Sequence, residues 1–160
     1  MSQWQHLVIS AVGLQTKKWL MEWRWLVPDS YTPLWLNAFG DWTFSSKDGE
    51  IWFLDLLEGS LVRLATSGDK LNELLQCEGN RNRWLMADWV TICEERGLRL
   101  AREQCYGWKT APVLGGAMEF SNIQVFDMGV YQCIMGQVHR QLKKLPQGYV
   151  ITNMQIGSQG

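Results

Sequence analysis

Cys105 and His139 are the residues whose types could carry out covalent chemistry, because a thiolate becomes a nucleophile when an oriented imidazole takes its proton. Cys105 sits between Gln104 and Tyr106 in a stretch that reads as a strand. His139 lies beside an apolar helical stripe, where a hydrogen-bonded structural histidine is the commoner arrangement. A cysteine hydrolase therefore ranks last among the candidate activities. Cys77, Cys93, Cys105 and Cys133 contain no CxxC pair, and the two histidines, His6 and His139, form no i, i+3 or i, i+4 cluster with a carboxylate. Neither a zinc site nor a disulfide framework is expected. Gly107, Gly115 and Gly116 belong to no phosphate-binding loop pattern. The sequence thus predicts no catalytic residue, no metal and no cofactor.

Charge narrows the partners. Lys plus Arg number 15 against 16 Asp plus Glu, a net charge of -1, so no global field draws the chain to nucleic acid or anionic lipid. Arg81, Arg83, Arg96, Arg99 and Arg102 are interleaved with Glu94, Glu95 and Glu103, which reads as a solvated face. The N-terminus lacks a basic region followed by an apolar run and a cleavage site, and the apolar stretches are interrupted by charges. The expectation is a cytoplasmic protein with reduced thiols, no membrane span and no direct nucleic-acid contact.

Ten tryptophans are many for 160 residues. One core rarely buries every indole and also partners each N–H, so most should be core and some half exposed. Asp41, Asp48, Glu50, Asp55 and Glu58 concentrate around Trp42 and Trp52 with only Lys47 nearby. This acidic, aromatic ribbon suits a basic protein surface. The expected contact residues are Asp41, Trp42, Asp48, Glu50 and Trp52. A different reading has the tryptophans line the pocket of a small-ligand or regulatory module.

The elements that must position these residues are set by periodicity. Trp4, Val8, Val12, then Trp19, Trp23 and Leu26 recur at helical spacing, predicting a helical segment over residues 1–30 broken near Gly13. Pro28 to Pro33 reads as loop. From Phe39 to Ala65 the period is two, with an Asp48-Gly49 turn and another at Gly59, which predicts an antiparallel meander. Trp52 and Leu54 should share one face, Ile51 and Phe53 the other.

Ser67 caps a short helix, and Asn80 or Asn82 caps a second that carries Leu85, Trp89, Ile92 and Cys93 and ends at Gly97. Gln104 to Gly116, QCYGWKTAPVLGG, reads as a strand ended by a sharp turn. Ile123 to Phe126 is one further strand, and Asp127 caps a last helix with Met128, Tyr131, Met135, Val138 and Leu142 on its buried stripe. Residues 153–160 are polar and read as a frayed tail. Residues 31–152 then form one α+β domain, an antiparallel sheet flanked by helices.

Three segments, TPLWLNAFGDWTF (Thr32 to Phe44), QCYGWKTAPVLGG (Gln104 to Gly116) and GQVHRQLKKLPQG (Gly136 to Gly148), together resemble the C-terminal domain of type VI secretion immunity proteins. That family is known for neutralising a secreted DNase effector. The resemblance spans Thr32 to Ile151. It implies a binder with no reaction of its own and a cognate toxin, possibly a DNase, as partner. The motif residues Gly107, Pro112, Gly115, Gly116, Gln137 and His139 read as architectural, fixing turns and tying the last helix to the sheet. Holding a toxin at nanomolar concentration asks for about -12 kcal/mol and an interface of about 1,600 Å².

Overall fold

A computed structural model describes residues 4–145 and 156–157. Five strands form an antiparallel sheet in sequential order: β1 (Val8–Ser10), β2 (Thr32–Asn37), β3 (Trp42–Ser45), β4 (Ile51–Asp55) and β5 (Ser60–Ala65). A short α1 (Thr16–Trp19) precedes β2, and three helices come after β5, α2 (Gly68–Leu74), α3 (Glu78–Leu85) and α4 (Ala87–Glu95). A second, two-stranded sheet pairs β6 (Gln104–Trp108) with β7 (Ile123–Asp127), and α5 (Met128–Lys143) closes the fold. This is the α+β architecture the sequence predicts.

The meander is as expected from β3 to β5, with Thr43 opposite Phe53 and the Asp48-Gly49 turn at its tip. Two expectations about its near edge are corrected. Val8–Ser10 is a strand paired with β2, because its three residues span too little chain to distinguish a helical spacing from an edge strand. Thr32–Asn37, expected as loop, is a strand. Pro33, which cannot donate to a ladder, is accommodated where the register shifts between Pro33 and Trp35.

Both faces of this sheet are covered. Trp42, Phe44 and Leu54 pack with Trp19, Trp23, Met128, Tyr131 and Met135, and Trp52 leans on the same cluster. Ile51 faces the other way, toward Leu71, Leu75, Leu85, Cys93, Tyr106 and Trp108. The predicted division of β4 between two faces therefore holds, and the helices sit where that division requires them.

Local signals explain the helix ends. Ser67 Oγ accepts the Lys70 N–H at 3.1 Å, and Asp127 Oδ1 accepts the Val130 N–H at 2.9 Å, so both predicted caps form. After α4, Leu98 N–H donates to Cys93 O and Gly97 N–H to Glu94 O, the paired bonds of a Schellman ending. The expected Asn80 or Asn82 cap does not form. Cys77 begins α3, and Met86 with φ 54° breaks the chain into two helices. Asn80 instead donates its side-chain amide to Leu74 O at 2.8 Å and joins α3 to the end of α2.

Candidate partner-binding site

The acidic, aromatic ribbon is divided by the fold. Asp41 is 6% exposed and Trp42 fully buried, so both face the interior and no partner can reach them in this conformation. The cause is the bend before β3: Asn37 Oδ1 accepts the amides of Phe39 and Asp41, and Asn37 Nδ2 donates to Asp41 Oδ2 at 2.8 Å. That turn directs the start of β3 inward. Asp48 stays exposed at the hairpin tip. Glu50 beside it accepts from Arg63 at 2.7 Å, and Trp52 is half-buried against Tyr31 with its ring centroids 5.6 Å apart.

Around Asp41 lies a buried polar web that the sequence does not announce. Leu56 N–H donates to Asp41 Oδ1 at 2.8 Å. Burial, then the neighbouring Asp55, pushes the Asp41 carboxyl up to about 8, against the opposing hydrogen bonds from Asn37 and Leu56. Asp55 is also raised, mainly by burial. Gln132, fully buried on α5, accepts the Trp42 indole N–H at 2.9 Å on Oε1 and donates to Gly40 O at 2.7 Å. Its main-chain carbonyl accepts the Trp23 indole N–H at 3.1 Å. A signal exists in the spacing: Gln132 falls one helical turn from Met128 on the apolar stripe, where a polar residue must find buried partners.

His139 shares that helix face. Its Nε2 donates to Leu56 O at 2.7 Å, and burial holds the imidazole below its usual range. The bond ties α5 to the connection between β4 and β5. Cys105 is fully buried in the cluster of Trp42 and Tyr131, and its thiol is pushed far up by burial, then by Asp41 and Asp127. The thiolate is suppressed, and the imidazole is engaged elsewhere, so the two do not form a nucleophile–base pair.

The other motif residues shape β6 and the loop at its end. Gly107 lies where any Cβ would collide with the rings of Tyr131 and Phe126. Pro112 opens a short 3-10 turn, and Gly115 ends it with φ 94°. At Gly116 a Cβ would strike the Thr110 carbonyl. Gln137, expected to join the helix to the sheet, instead meets the far end of the chain. Its Oε1 accepts the Gly157 N–H at 2.7 Å and its Nε2 donates to Gly157 O at 2.9 Å. Of the expected frayed tail, only Ile156 and Gly157 fall within the described residues.

No tryptophan among the ten is exposed: Trp4, Trp19, Trp23, Trp42 and Trp108 are buried and the others half-buried. Four buried indole nitrogens, on Trp4, Trp25, Trp35 and Trp52, have no hydrogen-bond partner among the described residues. A cavity of about 510 Å³ among those residues is bordered by Lys18, Trp19, Glu103, Asp127, Val130 and Cys133 among others, with a single indole. A pocket lined by several tryptophans does not form there. The exposed large apolar residues include instead Val113, Leu114 and Met118, in the loop after β6. No group of three or more potential metal ligands occurs among the described residues.

Similarity to known proteins bears on this surface. Residues 65–139 match the family described as T6SS immunity protein Tdi1, C-terminal. The family resemblance is borne out. The match runs from the end of β5 to His139 and so takes in the whole of Gln104 to Gly116, part of the third motif segment, and none of Thr32 to Phe44. No curated protein matches the chain. A solved structure described as "Crystal structure of Atu4351 from Agrobacterium tumefaciens" is similar at 19% identity with a TM-score of 0.46, over 66% of this chain and 53% of that one. This chain thus spans about half of that protein's length.

Proposed function

We propose that this protein is an immunity protein that neutralises a cognate toxin, a nuclease effector, by forming a one-to-one complex with it in the cytoplasm. The match of residues 65–139 to a T6SS immunity family carries the reading. The chemistry of the interior agrees with it. The thiol best placed in sequence to act as a nucleophile is fully buried and held in its neutral form. The buried polar side chains of Asn37, Asp41 and Gln132 are occupied by hydrogen bonds within the chain.

Inhibition by adhesion needs a surface rather than a reacting group. Asp48 and Glu50 at the hairpin tip supply acidic contacts for a basic nuclease surface, and Trp52 supports the strand beneath them. Reversing both carboxylates to lysine weakens the complex. The test of the function itself is co-expression with the product of the reading frame that adjoins this gene, the expected toxin. Cells survive and the two chains co-purify if the reading holds. Undiminished toxicity in the presence of well-folded protein rejects it.

A further inference from the structure

The loop from Thr110 to Met118 has a property that turning the chain does not require. Val113, Leu114 and Met118 are 44%, 36% and 43% exposed. Single exposed aliphatic residues are ordinary on any surface, whereas three exposed within one short loop point to a contact site. A connection with no partner is served by polar turn residues at such positions.

The backbone beneath these side chains is firmly held. Leu114 N–H donates to Ala111 O at 2.8 Å, Gly115 N–H to Pro112 O at 2.9 Å and Gly116 N–H to Ala111 O at 3.1 Å. Asn122 staples the two ends together: Nδ2 donates to Thr110 O at 2.8 Å and Ala117 O at 2.9 Å, and Oδ1 accepts the Thr110 N–H at 3.0 Å. Ala111 is buried in the core cluster and anchors the base. A loop with closed ends presents its side chains at little further entropic cost when a partner binds.

Charge and position identify the occupant. Thr110 to Met118 carries no ionisable side chain, and the flanking Lys109 and Glu119 are opposite in sign. Such a surface has nothing to offer phosphates or an anionic membrane and fits an uncharged apolar recess on a protein. The family match encloses the whole loop and excludes the Asp48–Glu50 hairpin, so the loop belongs to the part of the chain that is similar to immunity proteins. We propose that Val113, Leu114 and Met118 are the apolar anchor of the complex and insert into a recess of the cognate toxin. This rests on the function proposed above and assigns it a surface.

The probe is a catalytically inactivated form of the toxin identified by the co-expression test above, titrated calorimetrically with the full chain. Leu114→Asp and Met118→Asp are each expected to weaken binding by roughly 30-fold or more, the loss typical of an interface anchor. Their thermal midpoints should equal that of the unaltered protein. Asn122→Ala, which unstaples the loop and keeps the anchors, should lose less, and double reversal of Asp48 and Glu50 less than either anchor variant. Unaltered protein that binds while both anchor variants bind equally well overturns the anchor and leaves the immunity reading standing. Unaltered protein that does not bind overturns both. A free protein that is a dimer, dissociated by Leu114→Asp with toxin affinity unchanged, assigns the loop to a second copy and also overturns the proposal.

Discussion

The buried web around α5 and the exposed loop after β6 are the two most unusual regions of the molecule, and each inverts an ordinary rule. In the web, polar side chains are inside: Asn37, Asp41, Gln132 and His139 are all buried. In the loop, large apolar side chains are outside. The first is explained by what it joins, since Gln132 connects α5 to Trp42 of β3 and to Gly40, and His139 connects it to Leu56. The second presents its apolar side chains to solvent. The contrast teaches that substitutions in the web act on folding and substitutions in the loop act on association, so stability and binding should separate cleanly between the two regions.

The largest effect on stability is expected at Gln132. Gln132→Ala leaves the Trp42 indole N–H and the Gly40 carbonyl buried without partners, each costing about 1–3 kcal/mol. Urea denaturation should show a loss of about 3 kcal/mol. A loss as small as that of a surface substitution would break the distinction between the regions.

Next comes pH. An Asp41 carboxyl raised in the folded state to about 8 from 3.8 binds its proton more tightly folded than unfolded, so stability falls as pH rises through that window. The raised Asp55 acts in the same direction. His139, depressed by burial, acts oppositely, over the range just below its ordinary 6.5, where the unfolded chain takes up the proton first. Between about pH 6.5 and about 8 the carboxyls dominate, and the thermal midpoint should drop. Asp41→Asn should flatten that drop, and an equally steep profile in the variant would exclude Asp41 as its source.

Gly107→Ala should cost about 2 kcal/mol, because a methyl at that position meets the Tyr131 and Phe126 rings and forces them apart. Glu50→Ala removes an exposed ion pair with Arg63 and should cost less than about 1 kcal/mol in a denaturation curve. Leu114→Asp, at the other pole of the comparison, should change stability by no more than about 0.5 kcal/mol, measured in the same way. A large destabilisation at Leu114 would mean that the loop is part of the core after all.

Much of this architecture can be read from the chain, and the exceptions have specific causes. The β3–β4 hairpin, β5 to β7, the Ser67 and Asp127 caps and the Gly97 ending all rest on local patterns, and local patterns suffice for them. Val8–Ser10 escapes such a reading because it pairs with β2, far along the chain, and Thr32–Asn37 because Pro33 within it reads as a loop signal although the strand pairs with both β1 and β3. Asp41 and Trp42 look like surface residues in sequence because a strand's alternation does not say that both of its faces are covered, as they are here by α5 and by the α2–α4 layer. The motif glycines are legible as residues that shape turns and close contacts. The exposure of Val113 and Leu114 between them is not legible, since an apolar residue in a sequence ordinarily signals burial.

The central proposal is that the chain neutralises a cognate nuclease stoichiometrically, by adhesion, and the most direct measurement is cleavage of plasmid DNA by that purified nuclease as this protein is added in steps. Activity should fall linearly and reach zero at one equivalent. Cleavage that persists at a large excess of folded protein, or that disappears at a small fraction of an equivalent as a catalyst would cause, would contradict it.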